Sequence, residues 1–134
     1  MADLTDQGPQ PYVIDIEEAT LENTNFRTAL WTGTHLQMTV MSIPVGGEVG
    51  LEVHHKEDQF LRVEQGRALV KMGPAEDEVT FEAEVEDDWA IVIPVGVWHN
   101  VINLGDEPLK LYSIYGPPHH AFGTVHETAA DDVD

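Results

Sequence analysis

Short runs of β-branched, aromatic and aliphatic residues recur along the whole chain, each closed by glycine, proline, asparagine or aspartate. Such runs read as strands, and their punctuation as turns. The pattern predicts strands over Tyr12–Ile16, Phe26–Thr32, His35–Ile43, Val49–His54, Gln59–Glu64, Arg67–Met72, Val79–Ala83, Ala90–Ile93, His99–Asn103 and Lys110–Tyr115. Within "HLQMTVMSI", Leu36, Met38, Val40 and Ser42 alternate onto one face. The stretches "PVGGEVG" (44–50), "EQGR" (64–67), "MGPAEDE" (72–78), "PVG" (94–96) and "NLGDEP" (103–108) carry turn chemistry. Helical periodicity is confined to "IEEATLEN" (16–23). Many short strands at regular spacing predict an all-β sandwich or barrel. A chain of 134 residues makes one domain, 1–134, with a barrel core over about 26–116 and a C-terminal arm over 117–134. Such an arm could close the barrel as a lid or pair with a neighbouring subunit.

Charge changes the picture most. There are 25 acids against six lysines and arginines, a net charge of −19, and Glu76 to Asp88 alone holds eight acids. Such a surface repels phosphate backbones and anionic lipid, so no nucleic-acid or membrane partner is expected. Sparse lysine with acids spread along the chain is also the signature of proteins that stay hydrated in molar salt, where self-repulsion is screened. A halophilic setting is expected. The opening "MADLTDQGPQP" lacks a signal-peptide pattern and the longest nearly apolar run, Ala90 to Trp98, is too short to span a bilayer. The expectation is a soluble cytoplasmic protein. There are no cysteines, so any metal must be held by histidine, carboxylate, amide or water.

The candidate chemistry lies in "LEVHHKEDQFLRVEQG" (51–66) and "IPVGVWHNVIN" (93–103). Two residues apart on a strand, Glu52 and His54 project from the same face. After the polar stretch "HKED" (55–58), Gln59 can return its side chain to that face. The Pro94–Gly96 turn delivers His99 at the start of another strand. Singly these are weak signals, since a lone histidine on a half-buried strand is more often packed or solvated than ligating. His55 points the other way, or into the turn, and is expected to be solvated.

Together the residues resemble the cupin superfamily. Pro94, Gly96, His99 and Asn103 match the second cupin motif, Pro-x-Gly-x-x-His-x-x-x-Asn, although the glycine that usually opens it is Asp88 here. Counting back from Gly66 puts Gln59 at the glutamate position of the first motif. A four-residue spacer then places Glu52 and His54 at its two histidines. A three-residue spacer would place Val53 and His55 there, and valine cannot ligate. From about Thr32 to Thr128 the chain looks like single-domain cupins often labelled mannose-6-phosphate isomerase-like. The resemblance implies a double-stranded β-helix (jelly-roll) barrel, a homodimer, and a divalent transition metal (Fe, Mn, Ni, Co or Zn) on Glu52, His54, Gln59 and His99. It implies a metalloenzyme acting on a small polar organic substrate by dioxygenase-, isomerase- or lyase-type chemistry; the alternative is a non-catalytic ligand-binding or sensing cupin. Phosphosugar activity is doubtful, because only Lys56 and Arg62 lie near the site in sequence and Arg62 can face outward. Candidate pocket walls are Met38, Phe60 or Leu61, Trp98, Val101 and Tyr112. The tail histidines His119, His120 and His126 are read as exposed.

Overall fold

A computed structural model describes residues 1–132. Its elements are α1 (Ile16–Glu22), β1 (Arg27–Thr32), β2 (Gln37–Ile43), β3 (Asp58–Gln65), β4 (Arg67–Gly73), β5 (Phe81–Glu86), β6 (Ala90–Ile93), β7 (Trp98–Asn103), β8 (Leu109–Gly116) and β9 (Val125–His126), followed by a 3-10 turn at Ala129–Asp131. Two antiparallel sheets form, one ordered β6-β3-β8-β2-β1-β9 and one ordered β5-β4-β7. The architecture is a double-stranded β-helix barrel.

Strand register divides the interior into two halves. Gln59, Tyr115 and Gln37 stand in one row across β3, β8 and β2, and Leu61, Ser113 and Thr39 in the next. Val63, Leu111 and Met41 form a third row, and Leu109 pairs with Ile43 beyond it. One end of the barrel is thus polar and the other apolar. The apolar end packs Met41, Ile43, Leu61, Val63, Val70, Val101, Leu109 and Leu111 into one buried cluster.

The outer face of the large sheet is covered rather than solvated. There Leu30 and Val40, with Met38 and Tyr112 beside them, pack against Ala19 of α1 and against Leu4, Ile14 and Ile16. This corrects two expectations. The alternation of Met38 and Val40 marks the surface beneath the helix, not the barrel interior. Phe60 pairs its ring with Tyr112 at 6.1 Å on that same outer face, so Met38, Phe60 and Tyr112 do not line the barrel interior. Leu61 and Val101 point inward but lie in the apolar half, and Trp98 is half-buried opposite Gly73.

Three predicted strands also change. Residues 12–15 are irregular and Ile16 opens α1, because Asp15 caps the helix by accepting from the Glu18 N–H at 3.1 Å. The strand expected over Val79–Ala83 is shifted to Phe81–Glu86. Val49–His54 is no regular strand: it touches β7 through isolated bridges at Glu48–Ile102 and Glu52–His99, and between them Gly50 has φ +99, which breaks the ladder. Asp88, standing where the cupin motif usually has glycine, has φ +74. The position calls for left-handed backbone, and aspartate is among the few side chains that tolerate it.

Leu111 is fully buried in the centre of the apolar half. Leu111→Ala is expected to cost about 2–5 kcal/mol in a urea titration. Val92, 63% exposed on β6, should change stability by less than about 0.5 kcal/mol on truncation to alanine.

Candidate metal centre

The polar end of the barrel gathers its donors through backbone pairing. The Glu52 N–H donates to the His99 carbonyl at 3.0 Å, and the His99 N–H donates back to Glu52 at 2.9 Å. Residues paired this way face each other directly, so both side chains leave on the same side. His54 is fixed by its carbonyl, which accepts from the Gly96 N–H at 2.8 Å. Gly96 sits at φ +82 in the turn closed by Val97 N–H to the Pro94 carbonyl at 3.2 Å, and this is why the Pro-x-Gly pair precedes His99.

Glu52 Oε1 lies 3.3 Å from His54 Nε2 and 3.3 Å from His99 Nε2. These separations are long for hydrogen bonds. They match the edges of a coordination polyhedron, since ligands about 2.1 Å from an ion stand roughly 3.0–3.4 Å apart. His99 Nδ1–H donates to the Val97 carbonyl at 3.0 Å, so its Nε2 lone pair is available for a ligand, the usual arrangement of a metal-binding histidine. Burial alone would raise the Glu52 carboxyl, but the two imidazoles facing it hold it well below the ordinary 4.5.

The residues fit a divalent ion on a further ground. Among the described residues, His54 Nδ1 and Nε2, His99 Nε2 and Gln59 Oε1 are all buried without a hydrogen-bond partner. Orphaned buried polar atoms are rare because each forfeits its hydration. Gln59 Nε2 donates to Ser113 Oγ at 3.2 Å, which leaves the amide oxygen as its free atom. Glu52, His54 and His99 thus come together, Gln59 is buried on the same inner face, and His55 is exposed. The motif residue Asn103 works elsewhere, tying the turn after β2 to the loop after β7. Its Nδ2 donates to the carbonyls of Ile43, Pro44 and Glu107, and its Oδ1 accepts from the Gly105 N–H.

The sequence left the contacts of the arm open. Gln37, fully buried, accepts from the backbone N–H groups of His119 and His120 and donates to the His120 carbonyl. That clasp folds the tail back over its own barrel. His119 is brought to 4.3 Å, ring to ring, from His54 and to 3.2 Å from the buried Glu57, so His54, Glu57 and His119 form a second donor group sharing His54. His120 is 8% exposed, and the expectation of a solvated tail histidine is corrected there; the cause is the Gln37 clasp, which local periodicity does not register. Tyr115 packs edge-on to His54 at 5.7 Å, and burial pushes its phenol up to about 12.

The Cupin domain family profile matches residues 39–115. A small double-stranded β-helix with clustered imidazole and carboxylate donors at its polar end is the class that fold and site define. The chain belongs to the cupin family. It is 61% identical to the Uncharacterized protein YrkC of Bacillus subtilis over 130 residues, covering 97% of this chain and 70% of that one. The crystal structure of BH2720 from Bacillus halodurans superposes with a TM-score of 0.94 at 61% identity, over 95% of this chain and 96% of that one. An oxalate decarboxylase from Lactobacillus farciminis, solved as a formate complex, aligns at TM-score 0.59 and 25% identity, over 66% of this chain and 26% of that one.

Burial, helped by the Arg27 charge, lowers His120 from an ordinary 6.5 to about 3. The unfolded chain therefore takes up this proton below pH 6.5 while the folded chain resists it. Stability from neutral His120 is complete above pH 6.5 and is lost as the pH falls towards 3. Melting curves between pH 6 and 4 should show His120→Gln losing less stability than the wild type, by roughly 1.4 kcal/mol per pH unit.

Proposed function

We propose that this cupin holds one divalent transition-metal ion on Glu52, His54 and His99, with the Gln59 amide oxygen as a neutral fourth donor, and that it acts on a small polar organic substrate. The observation that carries the reading is the convergence of Glu52, His54 and His99, with buried imidazole nitrogens that have no hydrogen-bond partner among the described residues. Two imidazoles and one carboxylate suit Fe, Mn, Ni, Co or Zn. When bound, the ion would supply Lewis acidity or, if redox-active, dioxygen activation, so dioxygenase-, isomerase- or lyase-type chemistry is in range. The chain's own residues do the rest. Val97 sets the His99 tautomer, Ser113 orients Gln59, and the arm brings His119 beside Glu57 and the Tyr115 phenol at the edge of the donor cluster and helps to exclude water.

Phosphosugar isomerisation is poorly supported. Arg62 lies on the outer face of β3, where it meets Asp88 at 2.9 Å, and Lys56 is exposed; neither can hold a phosphate inside the barrel. The Lactobacillus farciminis relative, by contrast, supports a small carboxylate as the kind of molecule this barrel accepts. A non-catalytic binding role draws support from Gln59, which gives the ion one fewer negative charge than a glutamate would. The family resemblance supports a homodimer as part of this proposal, and the acid-rich surface a high-salt setting.

Elemental analysis of protein purified without chelator or affinity metal is expected to find one equivalent of a transition metal, absent in His54→Ala and His99→Ala. Saturating the metal-free wild type, at about 1,000 times Kd, should stabilise it by about 4 kcal/mol, which raises Tm by roughly 10 °C. Wild type that retains no metal and whose Tm none of the five ions moves overturns the reading.

A further inference from the structure

In a chain of net charge −19, one cation lies almost wholly inside the barrel. Arg27 pairs with Met41 across β1 and β2, and its side chain is 2% exposed. A buried guanidinium calls for full pairing; the Tyr115 hydroxyl faces this one, but its fork is only partly paired. Nη1 donates to Asp132 Oδ2 at 2.8 Å and lies 3.1 Å from His126 Nδ1. Nη2 meets the Met41 sulfur, a weak acceptor, at 3.9 Å. Among the described residues, Nε is buried with no hydrogen-bond partner. The planar fork that grips a carboxylate through two parallel N–H bonds is thus not engaged by Asp132, which meets it at Nη1.

The surroundings lead from this guanidinium to the donor cluster. The His120 and His126 rings stand 6.0 Å apart. His120 Nε2 is 3.4 Å from the Tyr115 hydroxyl, and Tyr115 in turn packs against His54. The other cations are placed elsewhere: Lys71 pairs with Glu82, Lys110 reaches the Asn23 carbonyl, Arg62 meets Asp88, Arg67 lies near the Leu104 carbonyl, and Lys56 is exposed. One guanidinium flanked by imidazoles and a phenol matches a monoanionic carboxylate better than a phosphate dianion. The group that now sits there is itself a carboxylate, carried by an arm whose 3-10 turn, Ala129–Asp131, has no buried residue.

We propose that Arg27, with His120 and His126 beside it, is the subsite for the carboxylate of a small organic ligand, and that Asp132 is its internal occupant when the arm is closed. A ligand carboxylate replaces Asp132 on this guanidinium, so the ligand that reaches the donor cluster is an organic acid. This specifies the substrate class of the proposed metal site and rests on that reading for its catalytic meaning.

The test is calorimetric titration of the full-length, metal-free protein with acetate and, separately, inorganic phosphate at constant ionic strength. The variants are Asp132→Asn, Asp106→Asn as a control for the same change in net charge, and Arg27→Lys combined with Asp132→Asn. Removing an internal competitor raises apparent affinity by the inverse of the open fraction, so Asp132→Asn should bind acetate about tenfold or more tightly than wild type and Asp106→Asn. It should also prefer acetate to phosphate, and Arg27→Lys should abolish the gain. If the double variant does not fold, the comparison of Asp132→Asn with Asp106→Asn decides alone. Asp132→Asn that melts lower but binds acetate no better than the control makes the Arg27–Asp132 pair a pin for the arm and overturns the proposal; so does equal or tighter binding of phosphate. Because no metal is present, failure here leaves metal retention at His54 and His99 untouched, and failure of metal retention leaves this result standing.

Discussion

Two reciprocal backbone hydrogen bonds between Glu52 and His99 hold the candidate site together. An antiparallel pair of this kind fixes not only distance but side-chain direction. It delivers a carboxylate and an imidazole to one spot, although the segment carrying Glu52 is not a regular strand. The Gly96 N–H does the same for His54. These side chains are therefore positioned by main-chain bonds rather than by one another.

That arrangement is tolerated because of how the barrel interior is divided. The rows containing Val63, Leu111 and Met41, and Leu109 with Ile43, pack an apolar end. The rows containing Gln59, Tyr115 and Gln37 leave a polar one. Hydrophobic burial at one end and under α1 stabilises a scaffold that can carry unsatisfied imidazole nitrogens at the other. Had the polar rows been spread through the barrel, each orphan would have weakened the packing around it.

The C-terminal arm is the third element of the design. Gln37 clasps its backbone, Glu57 meets His119, and Arg27 meets Asp132 and His126. Besides the short β1–β9 ladder, three separate side chains thus tie the arm to the barrel. These three side-chain contacts are polar and charged rather than apolar.

Local pattern determined much of this protein. Strand and turn chemistry specify an all-β barrel, "IEEATLEN" specifies its helix, and the spacing of Glu52 and His54 before Pro94, Gly96 and His99 picks out three residues whose side chains the fold brings together. Those features are legible because strand period and turn geometry act over a few residues. What only the tertiary structure decided lies across long separations. Whether Met38 and Tyr112 face the barrel or the helix depends on which side α1 covers, and a period of two cannot distinguish two apolar faces. Gly50 breaks a strand that composition alone would extend to His54. Arg27 and Asp132, Gln37 and His120, and Glu57 and His119 meet over separations of 105, 83 and 62 residues, and no local periodicity encodes such meetings. They arise because the chain crosses the barrel and returns, so that residues with no sequence relation share one desolvated space.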